Sequence, residues 1–504
     1  MRKLLIGIDI GTSGLKTAVF SPEEGLITST TESYAVDYPH PGWAEQDPDM
    51  WWDAVIRSFQ KLWAEGKVRP EEIAGLAVDG QSWSCIPIDR NGKVLHKTPI
   101  WIDTRAESIC RRMEEKGLSE RIFRTGQNPF KPSYTTPKIL WFMEEKPDIY
   151  SQTYKFLQCN SFIEYRLTGQ VSQDLCMSYG LHVVDMQTGR YDAELADLLG
   201  IDLEKLPEKN YACDEIVGEV TPEAAALTGL KAGTPVIAGG LDASCGSLGA
   251  GVYKEGQTQE QGGQAGGMSI CTTSYKGDPS LIMSHHVVPG LWILQGGTAG
   301  GGASLNWIVS QIGRAEEEWA EKTGRGKFER VSELAETIKP GSDGLIFLPY
   351  LSGERSPLWD AKAKGVFFGL GFDKTRAHMY RAVMEGVAFS LQHNLEVAEL
   401  AGAPVGEMYS MGGAANSLVW TQLKSDITGK VIRVPATDTA TTLGASILAG
   451  VGVGLYKDYK EAVERNVTIT RTHTPDPERH ETYRHYYEIY RALYENTREL
   501  MHKL

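Results

Sequence analysis

An apolar run, Leu4-Leu5-Ile6-Gly7-Ile8, ends on Asp9, turns at Gly11-Thr12-Ser13-Gly14 and resumes as Leu15-Lys16-Thr17-Ala18-Val19-Phe20. Apolar, β-branched runs bounded by glycine read as buried strands, and a turn this short joins them as a hairpin. Glycines at 11 and 14 let backbone N–H groups approach an anion, the Thr12 and Ser13 hydroxyls stand beside them, and Asp9 is a hard oxygen donor of the kind a divalent cation takes. Taken alone, the motif fits an ordinary tight turn as well. Its grammar recurs, however, in Ile73 to Gly80, with Asp79 at the strand end, and again in Gly233 to Asp242. A second glycine hairpin follows at Gly262-Gly263-Gln264-Ala265-Gly266-Gly267, and helical patterns near 50–65 and 104–116 lie between the strands. Strands alternating with helices predict an α/β architecture with ligands at the strand ends. One hairpin opening each half predicts an internal duplication, with domains at 1–248 and 249–504 and a cleft between them.

Size agrees with two domains, since 504 residues exceed what a single core usually serves. Hydrophobic content of 41% and charged content of 23% are those of a soluble globular enzyme, and no apolar stretch approaches the length of a membrane span. Met1-Arg2-Lys3 runs straight into the first strand without a cleavage site, which predicts a cytoplasmic protein. A net charge of -14 disfavours nucleic acid and anionic membrane surfaces as partners. Seven cysteines, none spaced C-x-x-C, read as reduced core thiols rather than a metal site, and His285-His286 read as ordinary polar residues on opposite faces of a strand.

Neither a G-x-x-x-x-G-K-[ST] loop nor a dinucleotide-binding G-x-G-x-x-G is present, so phosphates, if held, are held by hairpins and helix N-termini. Gly296 to Ser304, running into Leu305-Asn306-Trp307, and Met411 to Ser417, running into a helical pattern with Trp420, Leu423 and Ile427, each bring glycine-rich backbone to the start of a helix. Together they predict a nucleotide site built from several loops. Residues 450–457 read as a loop, and 475–504 as a terminal helix with an apolar stripe at Tyr483, Tyr487, Tyr490, Tyr494 and Met501.

Longer motifs carry a family resemblance. Ile6 to Lys16, Pro41-Gly-Trp43-Ala-Glu45-Gln46-Asp47-Pro48, Trp101-Ile-Asp103-Thr-Arg105 and Thr136-Pro-Lys138-Ile-Leu-Trp141 lie in the first half. Gly239-Gly-Leu-Asp242, Tyr350-Leu-Ser-Gly-Glu354-Arg355-Ser-Pro357, Gly365 to Leu370 and Gly412 to Asn416 follow. In this order they resemble the FGGY carbohydrate kinases, relatives of actin and Hsp70 in fold, and most nearly their pentulose kinase branch. The resemblance implies two ribonuclease H-like domains with an interdomain cleft, and transfer of a phosphoryl group from ATP, with Mg²⁺, to a small sugar. A ketopentose such as xylulose is the acceptor it favours. Another ketose or polyol is the alternative, with an actin-like ATPase or a catalytically silent sugar-binding regulator behind it.

Carried onto this sequence, the resemblance makes Asp242 the base that accepts the hydroxyl proton, with helix N-cap as a compatible structural role. Asp9 and Asp242 attend Mg²⁺, Asp9 through water. Thr12, Ser13 and Lys16 face phosphates, although Lys16 also fits a solvated strand position. Gly263, Gln264, Gly302, Asn306, Gly413 and Asn416 form the nucleotide surface. Gln81, Ser82, Trp83 and Asp103 join Asp242 at the sugar, supplying amide, carboxylate and flat apolar partners. Two departures stand out: the family's Gln-Met-His-Gly is here Gln81-Ser82-Trp83-Ser84, and its Gly-Thr-Ser-Gly is Gly263-Gln264-Ala265-Gly266. The expected partners are a small-molecule sugar and no nucleic acid or membrane, with a homodimer left open.

Overall fold

The computed structural model describes residues 2–436 and 439–504. The first hairpin opens a six-stranded sheet. Its strands are β1 (Leu4–Ile10), β2 (Gly14–Ser21), β3 (Gly25–Ser33), β4 (Ile73–Gly80), β5 (Ile216–Glu219) and β6 (Pro235–Leu241), in the spatial order β5-β6-β4-β1-β2-β3. β1, β2 and β3 form an antiparallel meander, while β4 runs parallel to both β1 and β6. The near-continuous apolar runs of β1 and β4 follow from burial on both faces.

The second half repeats the design. β7 (Gln257–Gly262), β8 (Gly266–Thr272), β9 (Ile282–His285), β10 (Trp292–Thr298), β11 (Glu407–Met411), β12 (Val431–Pro435) and β13 (Ile469–His473) are ordered β9-β10-β8-β7-β11-β12-β13. β7, β8 and β10 reproduce the antiparallel meander, and β11 and β12 the parallel strands beside it. The duplication that is faint in the sequence is thus plain in the strand order.

Helix α1 (Pro48–Ala64) covers the first sheet, started by proline behind an Asp47 cap that accepts from the Asp49 N–H. The two halves meet through α2 (Asp242–Ala250), which leaves the end of β6. Later in the chain come α3 (Gly302–Ile312), α4 (Lys327–Glu336), α5 (Arg376–Leu400), α6 (Leu418–Thr428), α7 (Ala440–Gly452) and the terminal α8 (Pro477–Met501). Although α7 belongs to the second half of the chain, its Leu443, Ala445, Ile447 and Leu448 share one core with Leu4, Ile6 and Ile8 of β1. Small residues make that approach possible: a Cβ on Gly7 would overlap the Thr442 carbonyl, one on Gly249 the Ala440 carbonyl, and one on Gly444 the Cys245 carbonyl. α7 extends to Gly452, so the loop expected at 450–457 begins later than its glycines suggest. The terminal helix buries Tyr483, Tyr490, Tyr494 and Met501 as its stripe predicts. All seven cysteines are buried and unpaired, and among the described residues no helix is long and apolar enough to cross a membrane.

Candidate active site

Three strands of the first sheet end on or next to a carboxylate. Asp9 and Asp79 are direct register partners on β1 and β4, and Asp242 follows β6. The route to Asp242 depends on glycine. β6 slips register against β4 between Ile237 and Gly240, with Gly239 at φ 60°, where a Cβ would collide with the Val78 carbonyl. The bulge turns the chain out of the sheet and α2 starts at once. The cap position is Leu241, so Asp242 is the first helical residue rather than the cap expected from sequence, and its Oδ1 accepts from the Ala243 N–H at 2.6 Å.

Asp242 is half-buried and opens onto a cavity of about 420 Å³. The first half lines it with Asp9, Gly11, Asp242 and Ala243, the second with Gln259, Gln261, Gly267, Gln295, Gly297, Arg355 and Thr441. Burial, followed by the nearby charge of Asp9, raises the Asp242 carboxyl to about 7. Burial likewise raises Asp9, against the Thr441 hydroxyl, which donates to its Oδ2 at 2.8 Å, and against the charge of Lys16, its register partner on β2. Asp79 is fully enclosed. Among the described residues no N–H or hydroxyl reaches its two oxygens, and burial together with the Asp9 and Asp242 charges pushes it well above the usual carboxylate range. Sequence reasoning passed over Asp79 and Thr441. The recurring acid at each strand end was a signal for the first; nothing local marks the second, which reaches Asp9 from α7.

A second cavity, of about 830 Å³, is lined by Gly263, Gln264, Gly302, Asn306, Gly413 and Asn416, six of the nine residues expected at a nucleotide; Thr12, Ser13 and Lys16, expected at its phosphates, are not among the residues lining either cavity. Its wall continues along α4 through Phe328 and Ser332 and along α6 through Leu418 and Trp420, giving apolar surface for a base and hydroxyl and amide groups for a ribose. The contribution of α4 was not legible, because that stretch has neither glycine nor a motif. The β7–β8 hairpin stands between the two cavities, with Gly262 to Gln264 on the larger and Gln261 and Gly267 on the smaller.

One detail departs from expectation. The first N–H groups of α3 are spent within the protein, Gly302 donating to the Gly263 carbonyl at 2.8 Å and Ala303 to that of Gln264 at 2.9 Å. This helix end therefore braces the hairpin turn instead of presenting those N–H groups to phosphate. Glu354 braces the same loop from behind, accepting from Thr298 Oγ1 at 2.6 Å and from the Ala299 and Arg355 N–H groups at 2.7 Å.

In the first hairpin, Ser13 is exposed and Gly11 lines the catalytic cavity. Thr12 is held from three sides: its Oγ1 accepts from Trp101 Nε1 at 2.9 Å, it faces Gln81 Oε1 at 3.4 Å, and its carbonyl accepts from Gln46 Nε2 at 2.8 Å.

The residues expected at the sugar are placed differently from Asp242. Asp103 is enclosed, with Arg105 donating to both of its oxygens and the Ala44 N–H to Oδ2 at 2.7 Å. Arg105 in turn lies over the Trp43 ring at 3.8 Å and pairs with Glu45 at 2.7 Å. Asp103, expected at the substrate, is thus held in a buried ion pair with Arg105. Gln81 is similarly used, donating to Gln46 Oε1 at 2.8 Å, and Ser82 accepts from the Tyr179 hydroxyl at 3.0 Å. Trp83 is the exception. It holds φ 60°, rare for a large residue, its carbonyl accepts from the buried Lys138 ammonium at 2.8 Å, and its ring stacks on Tyr134 at 4.2 Å. Burial lowers Lys138 to about 7. The Trp83 indole N–H is buried with no acceptor among the described residues. None of these four is among the residues lining the 420 Å³ cavity.

Comparison with known proteins agrees with this layout. The model of the N-terminal domain of the FGGY family of carbohydrate kinases matches residues 4–249, and that of its C-terminal domain matches 271–453. The chain is 30% identical to a xylulose kinase of Staphylococcus epidermidis, over 99% of this chain and 98% of that one. It is 29% identical to a gluconokinase of Bacillus licheniformis, over 96% and 94%. The crystal structure of xylulose kinase from Rhodospirillum rubrum superimposes with a TM-score of 0.91 at 28% identity, covering 99% of this chain and all of that one. With both domain models matched in order across a duplicated fold, the chain belongs to the FGGY family of carbohydrate kinases, ATP-dependent phosphotransferases with an alcohol group as acceptor.

Proposed function

We propose that this kinase phosphorylates a neutral ketopentose, xylulose being the first candidate from its relatives, with the acceptor hydroxyl in the 420 Å³ cavity and the nucleotide in the 830 Å³ cavity. The observation that carries this reading is the β7–β8 hairpin bordering both cavities with Asp242 across the smaller one. A nucleotide in the larger cavity would then extend its phosphates past Gly263 and Gln264 toward Asp242.

Asp242 is suited to take the hydroxyl proton. A base is most effective when its pKa lies near the working pH, and burial brings this carboxyl to about 7. The bend after Gly239 aims it into the cleft, and the Ala243 N–H fixes one oxygen so that the other is available to the hydroxyl. Trp83 does not line that cavity; Lys138 holds its backbone and its ring packs on Tyr134. The Thr12–Trp101–Gln81 contacts keep the first hairpin in place beside Asp9.

Mg²⁺ fits the residues present. Asp9 and Asp242 both reach the cavity, and, beyond burial, the charge of Asp9 raises the proton affinity of both Asp242 and its register partner Asp79, as close negative charges without a cation between them do. Asp9 and Asp242 would supply the one or two carboxylates that an ion keeping several of its waters takes alongside phosphate oxygens. When bound, it would offset phosphate charge and orient the terminal phosphoryl group. A cytoplasmic location is consistent with ATP as the donor.

The test is ADP release by the purified protein with MgATP and a panel of ketopentoses, other ketoses, polyols and aldonates. Release that depends on a ketopentose is expected; release indifferent to every sugar would replace the kinase reading with that of a plain ATPase.

A further inference from the structure

Arg355 has no part in the chemistry so far described, yet it lines the catalytic cavity together with Asp9 and Asp242. Its neighbour Glu354 cannot serve as its partner, because that carboxylate is committed to Thr298, Ala299 and the Arg355 backbone N–H. The guanidinium lies against β10. Its Nη2 donates to the Thr298 carbonyl at a long 3.3 Å, and a Cβ on Gly297 would stand 2.9 Å from that nitrogen, so glycine there leaves the room the group occupies. Among the described residues no carboxylate lies within ion-pairing distance of it.

A guanidinium carries five N–H donors in a planar fork. Here one long bond to a carbonyl accounts for one of them, in a half-buried position inside the cleft. Burial lowers its pKa from the usual value, and the Glu354 charge offsets only part of that. Buried cations are ordinarily paired, and a planar fork suits tetrahedral or carboxylate oxygens in a two-point contact. Its position beside Gly267 and Gly297, at the cavity end of the β7–β8 hairpin, is where a phosphoryl group travelling from one cavity to the other would pass.

We propose that Arg355 binds the oxygens of the transferred phosphoryl group, gripping them as they arrive on the acceptor and retaining them in the sugar phosphate product. The assignment rests on the kinase reading above and adds a cation of the protein's own to that reaction. The same chemistry could meet a carboxylate on an acidic acceptor, so the test separates the two anions.

Full-length Arg355→Gln and Arg355→Lys are compared with wild type in sugar-dependent ADP release. Calorimetric titrations follow with ADP, with the neutral acceptor that turns over, with the phosphate ester of that acceptor, and with an aldonate such as gluconate. For Arg355→Gln, kcat is expected to fall by about 100-fold or more, as removal of a phosphoryl-contacting arginine does. Affinity for the phosphate ester should drop about tenfold, while affinities for ADP and the neutral acceptor stay within twofold; Arg355→Lys should recover part of both losses. Equal loss of neutral acceptor and ester would make the residue structural and overturn the proposal. So would a kcat within threefold of wild type, or a loss confined to the aldonate. If Arg355→Gln does not melt cooperatively, the same comparison is read from Arg355→Lys, where an unchanged ester affinity overturns the proposal. Wild-type protein releasing no ADP with any sugar would refute the kinase reading instead, and the ester titration would still report on Arg355.

Discussion

Replacing Asp242 by asparagine should make the protein more stable as well as inactive, and the size of the gain follows from the site. The carboxyl is moved from an ordinary value of 3.8 to about 7, chiefly by burial and then by Asp9. Between those values the folded chain keeps a proton that the unfolded chain releases, so wild-type stability falls as pH rises from about 4 to 7 and the loss is complete above 7. At about 1.4 kcal/mol for each pH unit, the full cost is about 4 kcal/mol, and cavity water around the half-buried carboxylate reduces it toward about 2 kcal/mol. Asparagine fills the same space and its carbonyl oxygen still accepts from Ala243, but it carries no charge. For a unit of about 250 residues, this corresponds to a melting temperature about 4–8 °C higher at pH 8. Scanning calorimetry of both proteins in EDTA, from pH 4 to 8, measures it. The two should coincide near pH 4 and separate progressively up to about pH 7. A gap that is absent at pH 8, or independent of pH, would show that Asp242 is not held charged against its surroundings.

Other substitutions probe the packing and the loops. Gly7→Ala should cost about 3 kcal/mol or more, since its methyl would overlap the Thr442 carbonyl and push α7 off β1; chemical denaturation checks this. Glu354→Gln replaces one oxygen of a buried carboxylate that accepts from Thr298, Ser390, Ala299 and Arg355 with an NH₂ that faces donors, so about 2 kcal/mol of stability should be lost and ADP should bind more weakly as the 298–302 loop loosens, which denaturation and calorimetric titration can follow. Phe328→Ala on the wall of the larger cavity should weaken ADP about tenfold while leaving sugar affinity unchanged, by titration with each ligand.

How much of this could be read in the chain differs from residue to residue. Asp9, Asp242, the two hairpins and the glycine runs at 296–302 and 411–417 were legible because each depends on its immediate neighbours: an apolar strand, then an acid, then glycine. The six residues expected to form a nucleotide surface line one cavity for the same reason. The ion pair of Asp103 was not legible, because Arg105, which turns back on it and stacks on Trp43, meets it only in the fold. Gln81 is claimed by Gln46, and the α3 N-terminus by the carbonyls of Gly263 and Gln264; such pairings exist only after folding. Likewise nothing near Ala440 shows that α7 packs across the cleft against β1. Asp79 was visible as the third of three strand-end acids, and only its enclosure beside Asp9 sets it apart.

The account turns on Asp242 as the group that takes the acceptor's proton. Its most direct test is steady-state ADP release by Asp242→Asn with the best sugar of the panel, alongside titration of that sugar and of ADP. Turnover should drop by about 10³-fold, within the range for removing a general base, while both ligands still bind within threefold of wild type. Near-normal turnover by that variant would contradict the account.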